Sequence, residues 1–167
     1  MIKIGIIGPN KSVCGNDLYD FGENLGKVIA KKDRVFLNGG AGGFMEAVSK
    51  GVKSSKETFD GQTIGILQGD NAEEANEFID IAIPTGMGIA RNMILVNSSD
   101  IIIAAGGGAG TLSELAFAWQ KKKIVLCVTE FGGWSKELAG KNLDHRLKDL
   151  LIPVKTIEAI ENYIKQM

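Results

Sequence analysis

Glu114 closes the segment Gly106-Gly107-Gly108-Ala109-Gly110-Thr111-Leu112-Ser113-Glu114, a glycine-rich turn ending in a carboxylate. The apolar run 101–105 precedes it and a helix-like run, 115–119, follows, so the order reads strand, turn, helix. Such a turn lets a ligand approach bare backbone. The helix start adds unpaired N–H groups and the positive end of a dipole, which suits a phosphate. Glu114 stands one turn in, and a carboxylate beside a bound phosphate points to chemistry on a phosphorylated molecule. Thr111-x-x-Glu114 also satisfies a plain capping box, with Thr111 as N-cap and Glu114 reaching back. The two roles are compatible.

Two further glycine turns fall at strand ends, Gly8-Pro9-Asn10 and Asn38-Gly39-Gly40-Ala41-Gly42-Gly43. The candidate phosphate and ligand contacts are Gly8, Gly39, Gly40, Gly42, Gly43, Asn92, Gly107, Gly108, Gly110 and Thr111. Gly106, Gly108 and Gly110 are spaced by two, so G-x-G-x-x-G fails, and no acidic residue follows where it would grip a dinucleotide ribose. GxxxxGK[ST] is absent. A mononucleotide or a sugar phosphate fits better than NAD or ATP. Arg91 lies among small and apolar residues in Thr85-Gly86-Met87-Gly88-Ile89-Ala90-Arg91-Asn92-Met93. Its guanidinium could clamp a phosphate bidentately, although an ion pair or an exposed helix position is the simpler reading of one arginine.

These residues must be positioned by the elements around them. Strands are predicted at 3–7, 34–37, 63–67, 78–83, 101–105 and 123–128, with a short one at 152–154. Most are continuous apolar runs, the pattern of strands covered on both faces. Helices are predicted at 17–32, 44–53, 88–98, 112–122 and 156–165, each with an apolar stripe, such as Leu18, Phe21, Leu25, Val28 and Ile29 in the first. The alternation predicts an α/β sandwich with a mainly parallel sheet, binding ligands at the carboxyl ends of its strands. The loop Gly132-Gly133-Trp134 reads as a mobile flap. Met87, Met93 and the Trp134 loop are the expected pocket walls.

With 167 residues, 44% of them hydrophobic, the chain suits one core-bearing domain over 1–167. A net charge of -1 and the lack of a long basic run argue against a nucleic-acid partner. His145 is the only histidine, and Cys14 and Cys127 stand far apart, so no metal site is expected. There is no GxSxG elbow and no lysine in a recognisable pyridoxal phosphate setting. The chain opens on the strand-like Ile2-Lys3-Ile4-Gly5-Ile6-Ile7, without a leader pattern, and no apolar run approaches the ~20 residues of a membrane span. A cytoplasmic protein with no membrane partner is expected.

Arg91 and the third glycine turn together resemble the LOG ("lonely guy") family, often mislabelled as lysine decarboxylases. The family pattern is an arginine on a helix, a strand, then P-G-G-x-G-T-x-x-E, matched here by Gly107-Gly108-Ala109-Gly110-Thr111-Leu112-Ser113-Glu114. Gly39-Gly40-Ala41-Gly42-Gly43-Phe44-Met45-Glu46-Ala47-Val48 is similar to the family's G-G-G-x-x-G-x-M-x-A-V turn, and Gly8 to the glycine ending its first strand. The resemblance implies a Rossmann-like three-layer sandwich with helices on both faces. It also implies a homodimer or homotetramer with sites near the subunit contact. Characterised members hydrolyse nucleoside 5′-monophosphates to base and ribose 5-phosphate without a required cofactor. Glu114 would then be the catalytic carboxylate, Arg91 its partner, and the glycine turns the phosphate cradle. An anionic Glu114 would stabilise oxocarbenium charge and orient water, with a loss of roughly 3 kcal/mol of barrier lowering on its removal. Two departures stand out. Gly106 replaces the family's proline, and Ile89-Ala90-Arg91-Asn92 lacks its polar pair and the lysine after the arginine. Both resemble the branch that holds molybdenum cofactor carrier proteins, which implies the alternative of a non-enzymatic carrier for that cofactor or another phosphorylated ligand.

Overall fold

Seven short apolar runs pair into one sheet: β1 (Ile2–Ile7), β2 (Arg34–Asn38), β3 (Thr63–Leu67), β4 (Ile81–Pro84), β5 (Ile101–Ala105), β6 (Ile124–Val128) and β7 (Leu151–Val154). The structure is a computed structural model and describes residues 1–167. The strand order is β4-β3-β2-β1-β5-β6-β7, and every pair is parallel. Parallel neighbours need crossovers. These carry α1 (Asn16–Ile29), α2 (Phe44–Ser54), α3 (Asn92–Ser98), α4 (Ala109–Gln120), α5 (Gly133–Leu138) and α6 (Ile157–Lys165).

The helices divide between the two faces, and the strand pleat shows it. Ile101 and Ile103 pack with Phe36, Leu25, Phe44 and Ile160 on one side. Ile102 and Ala104 pack with Leu95, Leu115 and Trp119 on the other. Residues alternating along one strand thus feed two cores, which is why β5 reads as an unbroken apolar run. The expected three-layer Rossmann-like α/β sandwich is the observed one.

After β1 the chain builds outward through β2, β3 and β4, then returns to lay β5 on the other side of β1. The direction of winding reverses between β1 and β5, and a crevice opens at the carboxyl ends of those strands. Gly8 follows β1 and Gly106 follows β5, so two of the three glycine turns meet there.

Several boundaries differ from the sequence expectation. α1 stops at Ile29 because Ala30 turns to extended backbone, at ψ 116°. β4 starts at Ile81 rather than 78. Phe78 and Asp80 instead bond the Thr63 side chain: Thr63 Oγ1 donates to the Phe78 carbonyl at 2.7 Å and accepts from the Asp80 N–H at 3.0 Å. The predicted helix 88–98 divides into a 3-10 turn, Gly88–Arg91, and α3. α4 starts at Ala109 with Gly108 as N-cap, so Thr111 sits inside the first turn and the capping box does not form. For α6 the start is capped by Thr156, whose Oγ1 accepts from the Ala159 N–H at 3.2 Å. Thr156→Ala is expected to destabilise the protein by about 1 kcal/mol, read as a lower urea midpoint with unchanged slope.

Candidate functional site

A cavity of about 460 Å³ lies at the crevice, and Arg91 and Glu114 both line it. Arg91 is carried in from the 3-10 turn before α3, Glu114 from the second turn of α4. Arg91 Nη1 donates to Glu114 Oε1 at 3.2 Å, with the residues only 5% and 6% exposed. Gly39 makes this possible, since a side chain there would overlap the Arg91 guanidinium. The glycine thus accommodates the arginine as well as forming a turn.

No side chain caps α4. The first-turn N–H groups of Ala109, Gly110 and Thr111 have no intrahelical partner, and all three residues line the cavity. Asn92 is fixed beside them: its Nδ2 donates to Ser113 Oγ at 2.8 Å, and Ser113 Oγ donates to the Gly110 carbonyl at 2.7 Å. Asn92 Oδ1 and Arg91 Nε are buried without a protein partner. Burying such groups unsatisfied is costly.

Burial pushes the Glu114 carboxyl up to about 7, against the opposing pull of Arg91. An acid whose value is raised on folding holds its proton longer in the folded state. Stability therefore falls as pH rises from the ordinary carboxylate value of 4.5 through about 7. The span corresponds to about 3 kcal/mol as an order of magnitude. Urea unfolding at pH 5 and pH 7.5 is expected to show this loss in the native protein and a much smaller one in Glu114→Gln.

The structure brings Gly8, Gly39, Arg91, Asn92, Gly108, Gly110, Thr111 and Glu114 to one cavity wall. Gly40, Gly42, Gly43 and Gly107, also expected as ligand contacts, lie outside that wall. The Gly40 N–H already donates to Asn38 Oδ1 at 2.7 Å. Gly42 lies beneath Lys11 and beside Glu46, and Gly43 packs under Pro9-Asn10-Lys11. Gly107 is turned toward Thr111, its carbonyl accepting from the Trp134 N–H at 3.1 Å.

That bond also corrects the flap at 132–134. Its residues open α5, and the Ser135 N–H donates to the Gly106 carbonyl at 3.0 Å. Ser135 Oγ donates to the Ala104 and Val128 carbonyls at 2.7 and 2.9 Å. The segment is a buttress behind the third glycine turn, held by four hydrogen bonds to β5, β6 and that turn. Met87, Met93 and Trp134 do not line the cavity; its apolar wall is Val13, Ala41, Met45, Leu67, Ile89 and Ala109. Sequence reasoning also missed Asn10, Gln68 and Glu74. Gln68 was within reach of the rule that ligands sit at carboxyl ends of strands, as it follows β3 directly. Glu74 has no motif to announce it.

Sheet order, crevice and uncapped helix start define a Rossmann-like protein with a cavity at its switch point. The chain belongs to the SLOG cluster4 family, within the LOG-like superfamily, whose model matches residues 1–160. It is 43% identical over 125 residues to an uncharacterized protein of Archaeoglobus fulgidus, covering 75% of this chain and 78% of that one. Among solved structures it is similar to the molybdenum cofactor binding protein of the phototrophic bacterium Rippkaea orientalis, with 35% identity, a TM-score of 0.83, and coverage of 99% and 96%. The molybdenum cofactor carrier protein of Chlamydomonas reinhardtii gives 30%, 0.82, and coverage of 99% and 98%. No helix is long and apolar enough to cross a membrane.

Proposed function

We propose that the cavity binds a phosphorylated pterin of the molybdenum cofactor type and carries it unchanged. One observation supports this most: the uncapped start of α4 shares one cavity wall with Arg91 and Asn92. Phosphate would be taken by the α4 N–H groups with Arg91 beside it. A volume of about 460 Å³ suits a ligand of cofactor size. The names of the Rippkaea orientalis and Chlamydomonas reinhardtii proteins point to the same ligand class. The exposed apolar strip Ile81, Ile83, Met87 and Ile89, part of which lines the cavity, suits the subunit contact of a homodimer or homotetramer.

A second reading, phosphoribohydrolysis, draws on Glu114 alone. A carboxyl near 7 in a ligand cavity is poised for proton transfer at neutral pH. Against it, oxocarbenium stabilisation needs the anionic carboxylate, and burial works against that form. Incubation with a panel of nucleoside 5′-monophosphates is expected to release no free base. Release that disappears in Glu114→Gln would overturn the carrier reading in favour of hydrolysis.

A further inference from the structure

Glu74 is the other acidic side chain in the cavity wall besides Glu114. Unlike Glu114 it enters no ion pair. It ends a second 3-10 turn, Ala72–Glu74, whose start is fixed by Asn71 Oδ1 accepting from the Glu73 N–H at 3.0 Å. Just beyond it, Asn76 ties the segment to the second glycine turn. Its backbone N–H donates to the Gly40 carbonyl at 2.8 Å, and its Nδ2 to the Gly40 and Ala41 carbonyls at 3.1 and 3.0 Å. The Glu74 carboxylate rests against the bare Cα of Gly69, where any side chain would overlap it. Gln68, the neighbour of Gly69, shares the cavity wall, its own carbonyl accepting from the Gly88 N–H at 3.0 Å.

The cavity therefore has two chemically opposite parts. The α4 start and Arg91 attract an anion, while an unpaired carboxylate repels one, so one phosphate cannot satisfy both. The Glu74 part needs hydrogen-bond donors, and a carboxylate accepts two parallel N–H bonds best. The aminopyrimidinone edge shared by pterin and guanine presents a ring N–H beside an exocyclic amino group. Adenine presents a ring acceptor beside its amino group and satisfies only half of the carboxylate.

We infer that Glu74 is a specificity-determining residue: anchored through Asn76 to the second glycine turn, it selects ligands with an aminopyrimidinone edge over adenine. The inference rests on the phosphate site proposed above. It is tested by equilibrium titration of the native protein, Glu74→Gln and Arg91→Met with guanosine, inosine and adenosine 5′-monophosphates. Glu74 is exposed, so its replacement leaves the core untouched. The native protein is expected to bind guanosine monophosphate about ten-fold more tightly than adenosine monophosphate, with inosine monophosphate between. Glu74→Gln is expected to weaken guanosine monophosphate about ten-fold and adenosine monophosphate less than two-fold. Equal binding of all three that is lost in Arg91→Met would leave the phosphate site standing and overturn the role of Glu74. A Glu74→Gln loss shared equally by all three would overturn that role as well. Absence of binding by any nucleotide would overturn both.

Discussion

Arg91→Met is expected to weaken binding of a phosphorylated ligand by about 100-fold while the protein stays folded. Arg91 supplies the one guanidinium in the cavity wall. Losing a bidentate, charge-assisted contact in a buried site removes about 3 kcal/mol, which is that factor. The fold survives for a reason visible in the pair itself. Breaking a buried ion pair ordinarily costs about 3–5 kcal/mol because a charge is stranded. Glu114 avoids most of this, since its carboxyl is already pushed to about 7 and takes up a proton once Arg91 is gone. The variant should therefore be closer to native stability at pH 6 than at pH 8. Titration calorimetry with the ligand, paired with urea unfolding at both pH values, checks the two statements together. Native-like affinity in a folded Arg91→Met protein would remove the arginine from the site.

Gly106→Pro, which restores the LOG-family residue, is expected to destabilise this protein by about 3 kcal/mol or more. Gly106 adopts φ +60°, and a proline ring holds φ near −65°. The substitution forces the turn after β5 to rearrange. It would disturb the Gly106 and Gly107 carbonyls that receive the Ser135 and Trp134 N–H groups, and so the seat of α5. A large fall in the urea midpoint and loss of near-ultraviolet dichroism from Trp134 are the expected readouts. An unchanged midpoint would show that the turn accepts the family conformation. Thus the replacement of proline by Gly106 is a structural feature of this turn, with a backbone conformation that the wider family pattern excludes.

Strand–helix alternation made the layers legible because parallel strands buried on both faces leave continuous apolar runs, as at β5 and β6. The junction of Arg91 with Glu114 was legible only through the resemblance to the LOG family. Local strand ends were less so. At 78–80 the Thr63 side chain takes over hydrogen bonds that an apolar pattern assigns to a ladder. The start of α4 was misplaced because Thr111 and Glu114 mimic a capping box, whereas burial directs Glu114 to Arg91. Glycine-rich sequence also gave no sign of which turns face a ligand. Gly39 and Gly108 line the cavity, but Gly40 and Gly107 spend their polar groups on Asn38 and Trp134. Two glycines at 132–133 suggested mobility, yet they let α5 approach the third turn closely, Gly133 fitting against Gly106 and Gly107. Glu74 depends on a tertiary neighbour, Gly69, and no local pattern encodes that contact.

Mass spectrometry of the small molecules released from gently purified native protein and from Arg91→Met tests the carrier site most directly. The native protein is expected to yield a phosphorylated pterin in stoichiometric amounts, and the variant none. Equal amounts of the molybdenum cofactor recovered from native protein and from Arg91→Met after loading in vitro, or no uptake by the native protein, would contradict the assignment of this cavity.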